Sequence, residues 1–289
     1  MKIGAVVLNY RDASLTSVCL RSLVGQGVGV ALVVDNSDDV HASADLVVVM
    51  QRLRDDGADF DIRVLTPPEN IGFARGVNMA LGCDVAQTCE LFLLLNNDAV
   101  AAPGMVQALL RAMAETHVGI AVPVIQAAEG VPRPGLWYQR YSGLMTTHAL
   151  PGAFPFPSGC CLMVGRVALA DGKLFDEDFF MYGEDVLLGW RRWQAGETPC
   201  VVSGAVAYHG GSASAGNRGL FHEYHTARGH VLLARKTWRM RPEIPLMLAT
   251  KGTVMLLRAA WRALRQRDTA PLRAFLLAWF SMEIRPCHD

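Results

Sequence analysis

The chain has 289 residues, 51% of them apolar, with a formal net charge of zero. This composition supports a large core and argues against wholesale disorder. From Arg239 onward nine Lys/Arg stand against four Asp/Glu, leaving eighteen against twenty-three before it; an acidic body with a basic tail argues against nucleic acid as a partner of the body.

Seven cysteines without a C-x-x-C pattern, two of them adjacent at Cys160 and Cys161, point to free thiols in a reducing cytoplasm. The opening apolar run ends at Asn9, too short for a secretory signal. Near the C-terminus Lys251, Arg258 and Arg273 interrupt the apolar stretches, so no membrane-crossing helix is expected.

In chain order, KIGAVVL (Lys2 to Leu8) reads as a buried strand ending at Asn9-Tyr10. Ser14 to Val24 has helical spacing, with Leu15, Val18, Cys19 and Leu23 on one face. Val30 to Val34 is a second strand, ending in Asp35-Asn36-Ser37-Asp38. A short strand at Ile62 to Leu65 leads through Pro67-Pro68 into Glu69-Asn70-Ile71-Gly72, and Phe73 to Leu81 reads as a helix. Leu91 to Leu95 is a fourth strand, ending at Asn96-Asn97-Asp98; Pro103 and Gly104 then open a helix over Met105 to Glu115. This alternation predicts an α/β fold with a mostly parallel central sheet flanked by helices. Ligands bind at the carboxyl edge of such sheets, so Asn9, Asp35 and Asp98 are candidates for one crevice. Gln126 to Pro157, rich in Gly, Pro and aromatics, reads as an irregular loop lining a site.

Asp98, where a hydrophobic strand emerges, is either a carboxylate for a hard divalent cation or a turn residue. Asp35 is either a partner for a base or ribose, or a strand-end turn. FDEDFFMYGEDVLLGWRRW (Phe175 to Trp193) sets five carboxylates among aromatic rings. Carboxylates beside apolar groups are costly unless offset, and such a setting can tune one as a base. Glu184-Asp185 opens a helix over Glu184 to Gln194, where acidic residues also serve the helix dipole. His209, after another apolar strand, is a ligand for a cation or phosphate, or a turn histidine.

VVLNYRD, VVDNSDD, ENIGFARGVNMAL, LFLLLNNDAV, FPSGCCLMVGR, KLFDEDFFMYGEDVLLGWR and AYHGGSAS occur in the order found in family-two GT-A glycosyltransferases. From Lys2 to Trp238 the chain most resembles their rhamnosyltransferase-like branch. The resemblance implies a GT-A domain over 1–240 with a Rossmann-like nucleotide-binding half. It implies that Asn9, Tyr10 and Asp35 line a base and ribose pocket, with Asn70, Gly72, Phe73 and Asn78 beside the nucleotide. Asn96, Asn97 and Asp98 span the D-x-D position, where Asn96 replaces the first carboxylate. Asp98, with His209, would hold Mg²⁺ or Mn²⁺. Asp185, preceded by Glu184, would be the general base, although Leu187 stands where many relatives have another acid. Trp137, Ser158 and Gly159 would border the sugar or acceptor. The implied activity is inverting transfer of a sugar, rhamnose first, from dTDP-rhamnose or a UDP-sugar to a hydroxyl of a glycan or lipid-linked glycan. Galactofuranosyl or other hexosyl transfer remains open, as does a non-catalytic nucleotide-sugar-binding scaffold. A simple NAD-binding protein is disfavoured, since no G-x-G-x-x-G follows the first strand.

After Trp238, Pro242 and Pro245 mark a break. Residues 241–289 form a basic helical appendage, with an apolar helical face over Leu246 to Leu264 and a further apolar run from Leu272 to Met282. It reads as a helical pair packed on the main domain or as a peripheral contact with anionic lipid at the inner face of the membrane.

Overall fold

Val6 of the first strand, β1 (Ile3–Asn9), joins one apolar layer, and Ala5 and Val7 join another. Successive strand residues point to opposite faces, so an unbroken apolar run needs cover on both sides. The computed structural model describes residues 1–127, 135–209 and 219–280 and shows that cover. After β1 come α1 (Ala13–Arg21), β2 (Val30–Asp35), α2 (Val40–Asp55), β3 (Asp61–Leu65), α3 (Gly72–Gly82), β4 (Leu91–Leu95), β5 (Ala99–Ala101), α4 (Met105–Thr116) and β6 (Ile120–Ala127). A small sheet of β7 (Leu136–Gln139), β8 (Met145–Thr146) and β9 (Ala153–Phe156) follows. Then come β10 (Cys161–Gly165), α5 (Glu184–Gln194), β11 (Cys200–His209), α6 (Leu220–Lys236), α7 (Glu243–Gln266) and α8 (Ala270–Trp279).

Among the described residues the main sheet runs β3-β2-β1-β4-β10-β6-β11-β5. The first four strands in that order are mutually parallel, and β10 enters antiparallel between β4 and β6. Helices α1, α2 and α4 cover one face; α3 and α5 cover the other. Burying each large aliphatic side chain in these layers contributes about 1.5–3 kcal/mol. The predicted mostly parallel sheet flanked by helices is therefore the architecture formed.

Two parts of the chain differ from the sequence reading. The sequence reading places no element over Val40–Asp55, where helix α2 forms. Its inner stripe is Leu46, Met50 and Leu53, with Val47 and Val48 exposed, and Asp39 caps its start by accepting from Ala42 N–H. The expected irregular loop over Gln126 to Pro157 contains a small three-stranded antiparallel sheet in its described part. Phe154 and Phe156, two residues apart, point into the core while Pro155 lies between them on an edge strand, where proline is tolerated.

Helices α7 and α8 pack on α6 and on each other. The inner stripe of α7 is Met247, Lys251, Met255 and Ala259, a four-residue spacing that keeps one face inward. Buried Arg140, just after β7, ties this unit to the body: it donates to the Thr237 carbonyl at 2.9 Å and pairs with Glu243 at 2.5 Å. Its guanidinium lies 4.6 Å from the Trp190 ring centroid. Tyr138 Oη and His230 Nδ1 share a hydrogen bond of 2.9 Å. Lys251 Nζ is 5.1 Å from the Tyr138 ring centroid and has no hydrogen-bond partner among the described residues.

Burial, helped by the charge of Arg140, pushes Lys251 down to about 7. An unfolded lysine titrates near 10.4, at about the ordinary value. Between these values the unfolded chain binds more protons, so this group makes stability rise with pH across that window. Lys251→Met is expected to stabilise the protein at neutral pH by on the order of a few kcal/mol. Melting curves of both proteins should show the gap narrowing as pH rises toward 10; a gap that ignores pH would remove this account of Lys251.

Candidate active site

Strand register brings the polar ends of the sheet together. Asn9 pairs with Asp35 in the β1–β2 ladder, and Asn9 Nδ2 donates to Asp35 Oδ1 at 3.2 Å. The same amide donates to Ser37 Oγ at 3.0 Å, while Ser37 Oγ donates to Asp35 Oδ1 at 2.5 Å. Thr16 Oγ1 donates to Asn9 Oδ1 at 2.7 Å and accepts from Asn97 Nδ2 at 3.3 Å. One buried chain of side-chain hydrogen bonds thus links the ends of β2, β1 and β4. Tyr10 projects to solvent at its rim, half exposed.

Asn36 extends the network to the next loop. Its Oδ1 accepts from Ile71 N–H at 3.3 Å and its Nδ2 donates to the Gly72 carbonyl at 3.0 Å. Asn70 Oδ1 accepts from Gly72 N–H at 3.0 Å. Asn78 plays a different part from the one expected beside a nucleotide. Its Oδ1 accepts from Leu174 and Phe175 N–H, and its Nδ2 donates to the Phe175 carbonyl and to Glu177. The amide is fully engaged in holding the acidic-aromatic segment onto α3. The acids of that segment are likewise tied down: Asp176 pairs with Arg191 and Lys236, Asp178 with Lys236, and Glu177 with Lys173.

The segment Ser158-Gly159-Cys160 touches both the strand end that leads to Asp98 and the start of the Asp185 helix. Register aligns Cys161 with Leu95, so the Cys160 carbonyl accepts from Asn96 N–H at 2.8 Å. One residue earlier, Gly159 N–H donates to Asp185 Oδ2 at 3.0 Å. The β11–β5 register sets His209 opposite Ala99, and His209 Nε2 lies 3.1 Å from Asp98 Oδ1. The bond to Asp98, with Cys160 adding to it, raises His209 to about 10. The remainder of the AYHGGSAS motif, from Gly210, lies outside the described residues.

The Glu184-Asp185 pair starts α5. Burial, then the adjacent Asp185 charge, pushes Glu184 up to about 8, and Glu184 Oε2 has no hydrogen-bond partner among the described residues. Burial also raises Asp185, opposed by the N–H groups of Gly159 and Val186. Burial and their closeness thus disfavour two negative charges on this pair.

The loop that delivers this pair is pressed from two sides. Phe73 N–H donates to the Phe180 carbonyl at 2.6 Å, and a Cβ on Gly72 would lie 2.5 Å from that same oxygen. On the other side, a Cβ on Gly229 of α6 would collide with the Tyr182 carbonyl. Between them Tyr182 and Gly183 both adopt left-handed backbone, with φ of 67° and 107°. A non-glycine residue held there stores strain that the surrounding contacts must fix.

Ser158 borders a recess of about 170 Å³ whose walls include Val122, Ile125, Leu136, Phe156 and His209. Trp137 sits instead within the small sheet, across from Thr146 and Pro155. Thr16, Asn36, Ser37 and Gly229 were missed by sequence reasoning. Asn36 and Ser37 lie inside a quoted motif, but nothing local signals the roles of Thr16 and Gly229.

A sequence model described as "Glycosyl transferase family 2" matches residues 5–172, more than half of the chain. The chain belongs to glycosyl transferase family 2. An N-acetylglucosaminyl-diphospho-decaprenol L-rhamnosyltransferase of Mycobacterium tuberculosis is 26% identical over 251 residues, 72% of this chain and 79% of that protein. The fold is similar to a mannosyltransferase from Pyrobaculum calidifontis solved with GDP-Man and Mn²⁺, with TM-score 0.62, 16% identity, and coverage of 98% of this chain and 88% of that one. It is also similar to Staphylococcus aureus TarS 1–349 in complex with UDP-GlcNAc, with TM-score 0.52, 14% identity, and coverage of 99% and 93%. The chain is thus a GT-A glycosyltransferase, and its resemblance to the rhamnosyltransferase-like branch stands.

An alanine inside a helix normally stabilises it relative to glycine. Gly229→Ala should do the reverse here, displacing the loop that carries Asp185. Misplacement of a catalytic group by about 1 Å lowers turnover on the order of 10²-fold. Sugar-transfer assays beside melting curves should show activity falling far more than stability; unchanged turnover would show that α6 does not position the loop.

Proposed function

We propose that this family 2 glycosyltransferase moves a sugar, rhamnose in the first instance, from a nucleotide-diphosphate donor to a hydroxyl of a lipid-linked glycan, inverting the anomeric centre. The observation that carries the mechanism is that adjacent residues bond to the two elements: Gly159 N–H to Asp185, and the Cys160 carbonyl to Asn96, two residues before Asp98. The printed activity of the mycobacterial relative supports rhamnose and a polyprenyl-linked acceptor. A bacterial cell-envelope polysaccharide is the product class that fits, made at the cytoplasmic face of the membrane.

A divalent cation here would replace the proton that pairs His209 with Asp98. A carboxylate oxygen and an imidazole nitrogen stand 3.1 Å apart, and the described residues contain no closed group of three or more His, Cys, Asp or Glu. Hard cations often take one or two protein oxygens and complete their shell with substrate phosphates. Asp98 and His209 would hold Mg²⁺ or Mn²⁺, which would neutralise charge on the departing diphosphate. Asn9, Tyr10, Asp35 and Asn97 would border the nucleotide, with Asn70, Gly72 and Phe73 closing its far side. Asn96 contributes its backbone to the strand end, and Ser158 and Gly159 face the sugar.

Asp185 accepts the acceptor hydroxyl's proton. The hydroxyl oxygen forms its bond to the anomeric carbon as the bond from that carbon to the diphosphate oxygen breaks. Burial raises Glu184 beside it, which disfavours a second negative charge at the same spot. General-base assistance contributes about 10²–10⁴-fold, and Asp185→Asn should lower transfer by that order while nucleotide binding persists. Calorimetric titration with nucleoside diphosphate, run beside turnover, separates the two; near-wild-type turnover would remove the base assignment. Asp98→Asn should instead weaken Mn²⁺-dependent nucleotide binding itself, and binding equal to wild type with and without Mn²⁺ would count against Asp98 as the ligand. Thermal shifts with dTDP-rhamnose against UDP- and GDP-sugars identify the donor through the stabilisation each confers.

A further inference from the structure

Helix α7 has two apolar faces, and the fold uses one. While Met247, Lys251, Met255 and Ala259 pack inward, Leu246, Leu257, Trp261 and Leu264 form a stripe on the outside. Leu257 is 65% exposed, Trp261 58% and Leu264 81%. At 1.5 Å per residue the stripe runs about 27 Å along the helix. Nearby Met240, Leu276 and Phe280 are also exposed.

The charges beside this stripe are mostly basic, with Glu243 at the helix start and Asp268 just past its end. From Ile244 to Gln266 the helix carries Lys251, Arg258, Arg262 and Arg265 and no Asp or Glu. Lys251 is buried and Arg262 is paired with Glu223, while Arg258 and Arg265 are exposed, with Arg265 stacked over Trp261. Arg239, Arg241, Arg267 and Arg273, before and after the helix, are exposed as well. Two copies meeting through this face would bring arginines together. An anionic bilayer meets both features, since leucine and tryptophan enter the boundary between headgroups and acyl chains while arginines remain at the headgroups. Among the described residues no helix is long and apolar enough to cross a membrane, so the contact is with the surface.

We propose that the outer face of α7 lies in the plane of an anionic membrane surface and holds the enzyme there. The inference does not depend on which sugar is moved. Flotation of the full chain with vesicles of phosphatidylcholine, or of phosphatidylcholine mixed with phosphatidylglycerol, tests it without donor or acceptor. Wild type should float with the mixed vesicles and not with phosphatidylcholine alone. The double variant Leu257→Glu/Trp261→Glu should stay at the bottom while keeping the wild-type melting temperature, since both side chains are more than half exposed. Each of Arg258→Ser and Arg265→Ser should weaken binding about fivefold. Wild type that fails to float, binding that ignores lipid charge, or unaltered flotation of the glutamate variant would each overturn the proposal. So would a dimer in solution that the glutamate variant splits and that binds no vesicle.

Discussion

The active-site geometry depends on one tight contact surface: the backbone of Phe180 to Gly183 held between Gly72 and Gly229. Both glycines face a carbonyl at distances no side chain would permit. The loop must then turn through two consecutive left-handed residues before α5 begins. This sets the first turn of α5 against Gly159, and Gly159 is one residue from the strand end that bears Asn96 and Asp98. Two carboxylates almost ninety positions apart in sequence thereby face one segment. The position of Asp185 follows from backbone packing as well as from the bond it accepts from Gly159 N–H.

On the opposite side of the crevice, polar satisfaction has the corresponding role. Buried polar groups are costly unless paired, and a partly satisfied network is worse than none. Asn9, Thr16, Ser37, Asp35 and Asn97 satisfy one another, and Asn36 ties that cluster to the loop at Gly72. Gly72 is therefore shared: its carbonyl accepts from the Asn36 amide, and its missing Cβ admits Phe180. Changes on either side of the crevice are felt at this residue.

The strands ending in Asn9, Asp35 and Asp98 were legible because each is an unbroken apolar run that stops at polar residues, and the parallel pattern follows from them. The Glu184–Gln194 helix was legible from its first-turn acids and its spacing. Helix α2 was not, because exposed Val47 and Val48 join buried Leu46 and Met50 in one apolar run without helical spacing. Phe154 and Phe156 were hidden in a stretch whose Gly and Pro content reads as loop. Asn78 kept the right neighbourhood while its bonds go to the protein, a distinction that depends on which backbone groups reach it. Gly229 carries no local signal; its meaning exists only where α6 meets the Tyr182 carbonyl.

The C-terminal helices extend the same logic outward, since Arg140 and Glu243 join α7 to the small sheet beside the recess at Ser158. A membrane-facing helix tied to the acceptor side would suit an acceptor carried on lipid. The central claim remains that one base, Asp185, opposes the diphosphate side marked by Asp98 and drives a single displacement. The anomeric configuration of the first product, read by proton NMR before any mutarotation or further reaction, tests it most directly. Inversion relative to the donor is the predicted result; retention would require a second displacement and would contradict the assignment.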